Sequence, residues 1–474
     1  MSAAPAVRVA PEPTTASLTE PAVEVDGSDP QLYDMNRSAA NPGGWCVLDE
    51  FGQLNVCRFL RDDGAGRERL VRYSFEAFRR KFETVKHRAS GKTLAEAWLS
   101  WPARKAYDRV TFAPSGPVDP AALNLWRGFG VEPRRGDWSA IEEHLFEVVC
   151  NGDHKLFEYI IGWCARMVQR PDEPGEVAVV LRGKEGVGKS VVGLLLRRIM
   201  GQHGLAVSSS KALLGDFNEH LRDAVFVEAS ESVYAGDRAA ASRLKALVTD
   251  DTMLVEGKGR DAFTARNMVH LLMTSNEGWV VPAGPESRRW LVLDVNDSKR
   301  GDTAYFAALF AEVARDAAVG AFLHELLAYD LRKFNHRAVP STAALIEQRA
   351  RSMSGTLAWA LDLASRGGIV QAREGSMPWR KFFATRELYQ DFRTWVAGER
   401  FERALAVNVF AGELRSLLGL QWFRAARLDH GAVPPSARGV AGFQVPATPR
   451  EFEELARKAA GIDAVDDEEA AEAA

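Results

Sequence analysis

An α/β fold is predicted, with a core built on one strand–loop–helix unit, a mixed α+β region ahead of it and a winged-helix-like domain behind it. Three observations carry that expectation. The run Val177-Ala178-Val179-Val180-Leu181-Arg182 passes through a glycine-rich turn into the apolar, helix-forming segment Val191 to Met200. Later apolar runs follow, Leu221 to Glu231 ending in acid, His270 to Asn276 ending in an amide, and Leu291 to Val295. Strands buried on both faces of a parallel sheet read as such near-continuous hydrophobic runs. Beyond Pro340 the spacing gives helix, helix and a hairpin interrupted by Pro and Gly.

A chain of 474 residues accommodates about two to four domains, and its 46% hydrophobic content is that of an ordinary globular protein. Cys46, Cys57, Cys150 and Cys164 are scattered without a C-x-x-C pair, which points to reduced thiols in a cytoplasmic setting and to neither a disulfide frame nor a zinc site. No apolar run reaches membrane-spanning length, so no membrane partner is expected. The net charge of −4 is local in origin: removing the acids Asp463, Asp466, Asp467, Glu468, Glu469 and Glu472 leaves +2 for residues 1–461. The expected organisation is a disordered leader at 1–35, an accessory α+β region at 36–139, the core at 140–335, a winged-helix-like domain at 336–460 and an acidic disordered tail at 461–474.

In the accessory region, Trp45 to Leu48 and Leu54 to Phe59 flank Asp49-Glu50-Phe51-Gly52 as a hairpin. Phe75 to Phe82 and Leu94 to Tyr107 have helical spacing. The basic residues Arg79, Arg80, Lys81, Lys86, His87, Arg88 and Lys92 suit a solvated helix face better than a nucleic-acid grip. A strand carrying paired aspartates, which a polymerase or primase needs to hold two metal ions, is not evident. From Ala140 to Met167 two amphipathic helices lead into the core, with Asp153, His154 and Lys155 at their junction.

The turn Gly183-Lys184-Glu185-Gly186-Val187-Gly188-Lys189-Ser190 fills the phosphate-loop pattern G-x-x-x-x-G-K-[ST] at every required position. Glycines let backbone N–H groups turn inward around phosphate oxygens, where a Cβ would obstruct them. Lys189 brings an ammonium to the β/γ-phosphates, Ser190 offers a hydroxyl to Mg²⁺, and the following helix points its positive end at the nucleotide. A carboxylate ending the next strand would hold the metal shell and orient water, a place for which Glu228 and Glu231 compete; spacing does not choose between them. Thr252 to Glu256 and Phe263 to Asn267 pair around Gly257-Lys258-Gly259-Arg260-Asp261, a basic tip that suits either a phosphate backbone or solvent. Asn276 ends a strand as an amide able to contact the γ-phosphate. Arg288-Arg289 lie on the loop before the last core strand, where an arginine finger would act on a neighbouring subunit's nucleotide.

Taken in order, Gly183–Ser190, Glu228/Glu231, the Lys258 hairpin, Asn276 and Arg288-Arg289 resemble the motif series of superfamily 3 helicases, a branch of the AAA+ ATPases, and most closely the helicase portion of phage and plasmid primase–helicase proteins. Asn124-Leu125-Trp126-Arg127-Gly128-Phe129, Gln169-Arg170-Pro171, Gly215-Asp216-Phe217-Asn218, Gly236-Asp237, Leu244-Lys245 and Glu256-Gly257-Lys258 continue the likeness, which runs from about Trp101 to about Phe310. The resemblance implies a P-loop AAA+ core, ATP and Mg²⁺, a ring that is usually hexameric, single-stranded or forked DNA as partner and a primase or other replication partner. It implies phage or prophage replication in a bacterial cytoplasm. It favours Glu231 as the water-orienting acid and puts Lys258 on a hairpin in the ring's channel. Ser230 stands where an aspartate is common in the family, and Glu228 could compensate at the metal. Because only a short region precedes the core, a stand-alone helicase is expected.

In the C-terminal domain Ala343 to Ser365, Thr385 to Ala397 and Val409 to Leu418 are expected helices, with strands beginning at Phe423 and at Gly442. Arg415, Arg424, Arg427 and Arg438 would line a DNA-facing side, or the module docks protein. Two rivals to the helicase remain: an ATP-switched initiator or loader without processive unwinding, and a primase–helicase with an unrecognised priming site.

Overall fold

The computed structural model describes residues 29–36, 44–50, 52–61, 67–230, 238–259, 261–276, 280–284, 287–353, 355–371, 375–398, 405–423 and 441–462. The chain divides into two units, residues 1–125 and 126–474.

In the first unit, Trp45–Glu50 pairs antiparallel with Gln53–Arg61, Glu50 opposite Gln53, so the hairpin lies where its turn residues predict it. Glu68–Tyr73 adds a third strand beside Gln53–Arg61, and Ala106–Tyr107 joins in parallel on the other edge. The strand Glu68–Tyr73 escaped the pattern reading because its residues are mostly half-buried and show no clean alternation. Trp45 meets Phe78 edge-on at 4.9 Å between ring centroids, and Phe78 lies 5.5 Å from Trp98. The helix Leu94–Ser100 begins with a Thr93/Glu96 capping box. It stops well short of Tyr107, because Pro102 holds Trp101 extended. A second departure is Pro30–Asn36, part of the expected leader: it is a helix that buries Leu32 and Met35, and Asn36 accepts from the Trp98 indole at 2.9 Å. The basic run from Arg79 to Lys92 is exposed except for His87, which is buried against Asp29.

The second unit is organised around a five-stranded sheet whose strands run in the order Trp290–Asp294, Ala178–Arg182, His270–Ser275, Phe226–Ser230 and Gly204–Val207. Every neighbouring pair is parallel. Burial of both faces explains the uninterrupted apolar runs: Ala178 to Leu181, His270 to Ser275 and Trp290 to Leu293 are all buried. Residues 126–139 belong with this sheet; Gly130 donates to Ile199 at 2.8 Å and Arg134 to Gly320 at 3.1 Å. A Cβ on Gly130 would lie 2.3 Å from the Arg198 carbonyl, so only glycine permits this approach.

The stretch Ala343 to Ser365, expected to be helical, forms two helices, Ala343–Arg351 and Gly355–Arg366. They break because they serve different cores: Ala344 and Leu345 pack on the parallel sheet, while Leu357, Trp359 and Leu363 pack in the C-terminal cluster. That cluster joins Thr385–Gly398, Val407–Ser416 and a three-stranded antiparallel sheet in the order Phe382–Ala384, Gly442–Gln444, Gln421–Phe423. Trp359 donates to Asp391 at 2.7 Å, and Arg366 pairs with the same carboxylate at 3.0 Å. A last helix, Pro449–Ala460, starts on the Thr448 cap with Pro at its first turn and buries Phe452, Ala456 and Ala460. Arg424, Arg427 and Arg438 lie outside the described residues, as do 463–474. Among the described residues no helix is long and apolar enough to cross a membrane.

Candidate nucleotide site

The glycine loop leaves the carboxyl end of Ala178–Arg182 and enters the helix Lys189–Met200. Gly183, Gly186 and Gly188 have φ of 155°, 81° and 98°, backbone that L side chains rarely adopt, which is why this turn is glycine-rich. Lys189 is buried, and its Nζ donates to the carbonyls of Gly183 at 2.6 Å and Lys184 at 2.7 Å and to Asn276 Oδ1 at 2.9 Å. Burial holds the ammonium below the usual lysine pKa. The loop strand and the amide-ended strand thus converge on one cation, although Lys189 and Asn276 are far apart in sequence. Ser190 is exposed at the helix start. Lys184 pairs with Asp297 at 2.8 Å, and Arg300 donates to the Glu185 carbonyl at 3.1 Å, so the outer loop is tied to the segment after Trp290–Asp294. A cavity of about 470 Å³ opens beside it, lined by Asn151, Gly183, Lys184, Asp294, Val295, Asn296 and Asp297.

Sequence reasoning passed over His144. It opens a π-helical segment, His144–Val149, of the kind that recurs where local geometry serves a site. Its buried ring lies 3.0 Å from the Tyr305 hydroxyl and 3.3 Å from the Gly188 carbonyl, and a Cβ on Gly188 would meet it at 2.5 Å. No spacing marks His144, because its partners lie 44 and 161 residues away. Burial pushes its pKa down to about 4, against a smaller upward effect of the Gly188 carbonyl. The folded value lies below the unfolded one of about 6.5, so unfolded chains bind the extra proton and stability falls as pH drops from about 6.5 to about 4. Replacing His144→Gln is expected to flatten this part of the curve of unfolding free energy (from urea titrations) against pH by about 3 kcal/mol. An unchanged curve would show that His144 is not buried neutral against the loop.

The structure divides the acids. Glu228, in the middle of Phe226–Ser230, is buried and turned under the helix Lys189–Met200, accepting from Arg197 Nε at 2.8 Å. A Cβ on Gly193 would lie 2.0 Å from its Cδ. Burial raises its pKa despite Arg197, so desolvation outweighs the pair. By register Glu228 stands level with Leu272 and Val179, below the strand ends that frame Lys189, while Ser230 is level with Thr274 and Leu181. Glu231 lies outside the described residues.

Arg288 and Arg289 sit at the other end of the sheet. The amide of Ala178, first residue of the loop strand, donates to the Arg289 carbonyl at 2.8 Å, and Trp290 pairs with Ala178. Roughly 13 Å of strand therefore separates this edge from the loop that holds Lys189, and the arginines are not brought together with their own chain's glycine loop.

Thr252–Val255 and Phe263–Arg266 form the expected antiparallel hairpin, with Lys258 exposed at its tip and Gly259 at φ 75°. Its first arm is anchored just before the tip by Asn218, which donates to the Leu254 carbonyl at 2.7 Å and accepts from the Glu256 amide at 2.9 Å. Within the stretch Gly215–Asn218, it is Asn218 that is tied to the hairpin. Phe217 and Leu254 are exposed, and Arg260 lies outside the described residues.

A family of unknown function, DUF5906, matches residues 181–289, the segment from the loop strand to Arg289. Over 255 residues the chain is 24% identical to the DNA Primase-polymerase of Nitratiruptor phage NrS-1, a match covering 50% of this chain and 35% of that protein. The chain therefore matches only about a third of that relative's length. Two structures of the NrS-1 C-terminal region superpose with TM-scores of 0.56 and 0.57 at 16% and 18% identity, each covering 84% of this chain and 96% of theirs. The chain has the fold of that region. Its similarity to a phage replication protein rests on the sequence match.

Proposed function

We propose that the chain is an ATP-driven, Mg²⁺-dependent DNA translocase, the helicase portion of a phage or prophage replication protein of the primase–helicase kind. In this reading the five-stranded sheet is a P-loop AAA+ core of the superfamily 3 type, residues 336–460 are a winged-helix-like DNA or protein reader, and copies assemble as a ring, hexameric by resemblance. The observation that carries it is Lys189, held in a glycine loop and touched by Asn276, while Arg288 and Arg289 stand at the far edge of the sheet. In-line phosphoryl transfer is catalysed chiefly by positioning and charge stabilisation. An arginine too far from its own loop can supply that charge only to another copy's nucleotide.

The residues fit the nucleotide: glycines at positive φ give the loop the freedom to turn N–H groups toward phosphate, and Lys189 is already buried against it. Lys189 and the loop amides would neutralise the β/γ-phosphates, and Ser190 would hold Mg²⁺, whose charge offsets the same oxygens. Asn276 would report the γ-phosphate to the strand it ends, Glu231 would orient water and Arg288 or Arg289 would stabilise the charge that develops. The Lys258 hairpin, steadied by Asn218, would grip the DNA backbone. With Lys258→Ala, ATPase activity is expected to persist while strand displacement on a forked duplex falls at least about tenfold, the scale of one lost charge-assisted contact. Unwinding at the wild-type rate would remove the hairpin from the mechanism; ATPase without displacement in the wild type would favour a loader.

The sequence similarity to a protein named a DNA primase-polymerase favours a second reading, in which priming accompanies the motor. Nucleotide incorporation on a single-stranded template tests it directly.

A further inference from the structure

We infer that the second unit carries an oxyanion-binding pocket at the edge of the sheet opposite the glycine loop. The cavity, about 280 Å³, is lined by Ser287, Arg288, Arg337, Ala338, Val339, Ser341, Leu345 and Arg349. Three of these are arginines, and no acid lines the cavity among the described residues. Arginine's planar fork suits tetrahedral and carboxylate oxyanions.

Arg288, Arg337, Ala338 and Ser341 are exposed at the cavity, while Ser287 and Leu345 are buried. Arg349 is held by two backbone carbonyls, donating to Gly461 at 3.0 Å and to Ser287 at 3.3 Å. Arg337 is braced from outside the cavity by Glu176, which accepts from its Nε at 2.8 Å. Ser287 is 8% exposed, and its hydroxyl oxygen is buried without a hydrogen-bond partner among the described residues. A buried hydroxyl left unsatisfied costs free energy, which Ser287 would recover by turning its hydroxyl toward a bound oxyanion.

The ligand class is an oxyanion, and two sources present the same chemistry. One is an external phosphate. The other is a carboxylate of this chain, because Arg349 contacts Gly461 and the sequence after Ile462 holds six acids and no base. Arg288 lines this pocket and is also a candidate finger, so the test disables the glycine loop in every copy and substitutes Arg349 and Arg337 instead.

Inorganic pyrophosphate is titrated calorimetrically into the full chain carrying Lys189→Ala. Binding is expected to persist and to weaken at least about tenfold with Arg349→Gln or Arg337→Gln. Arg337 is largely exposed, so its variant folds even if Arg349→Gln does not. Ser287→Ala should weaken binding by a smaller factor. No pyrophosphate binding in the Lys189→Ala chain, or binding indifferent to both arginine substitutions, overturns the pocket. ATP binding by the wild-type chain is measured alongside, so failure of the nucleotide reading is seen separately. Converting the six acids from Asp463 to Glu472 to their amides sorts the source. Tighter pyrophosphate binding identifies the chain's own carboxylates as competing occupants, and unchanged binding identifies an external phosphate.

Discussion

Lys189→Ala is expected to lower ATP turnover by at least about a hundredfold while leaving the thermal midpoint within about 2 °C of wild type. The two halves of this prediction share a cause. The Lys189 ammonium lies 2.6 to 2.9 Å from three oxygens, those of Gly183, Lys184 and Asn276. No carboxylate is among these three partners. A buried cation paired only with neutral oxygens adds little to stability, so its removal is felt when phosphate charge arrives. Turnover that survives the substitution, measured by phosphate release, would mean that the nucleotide is not seated on this loop. The same variant tests the proposed sharing of a site between copies. Lys189→Ala retains its arginines and Arg288→Ala retains its loop, so an equimolar mixture should recover turnover that neither variant has alone. A mixture no more active than the average of its components would confine Arg288 to its own chain.

Arg197→Met is expected to cost about 2 to 3 kcal/mol in urea unfolding at pH 8, at or just below the low end of the range for breaking a buried pair because Arg197 is itself partly exposed. Glu228 would be left as a buried carboxylate with its neighbour removed. Its folded pKa is already raised by burial, and losing Arg197 raises it further. A raised folded value means that stability is fullest at low pH and is lost as pH rises through that value, so the cost of the substitution should shrink towards pH 5. Replacing both members, Arg197→Met with Glu228→Leu, should recover most of the loss. Unchanged stability in Arg197→Met, together with a shifted Mg²⁺ requirement for ATPase activity, would mean instead that Glu228 serves the glycine loop.

The difference between Glu228 and Lys189 marks how far the chain could be read without a fold. Both stand in or beside an apolar strand, and both have the residue type that phosphate chemistry uses. The lysine's place follows from its neighbours in the chain, since Gly183, Gly186 and Gly188 require a turn there whatever surrounds it. The acid's orientation does not: in a strand the side chain points to one face or the other, and what it meets depends on the helix laid over that face. Here that helix presents Gly193 and Arg197, which leave room for the carboxylate and pair with it. The hairpin at Lys258 was legible because both arms and the glycine-flanked tip are contiguous. Its anchor, Asn218, was legible only as a fragment of a resemblance, since it lies 36 and 38 residues from the groups it bonds.

Local order therefore belonged to the sequence alone: the strand–glycine turn–helix unit, the buried parallel strands and the antiparallel hairpin. Each depends on periodicity or on backbone conformations that only nearby residues set. Tertiary structure decided which distant groups share a space. It put His144 behind Gly188, sent Glu228 away from the loop, set Arg288 and Arg289 at the opposite edge of the sheet, and gathered Arg337 and Arg349 beside Ser287. These placements arise from segments packing across a common sheet, and that packing brings together residues whose separation along the chain carries no trace of it.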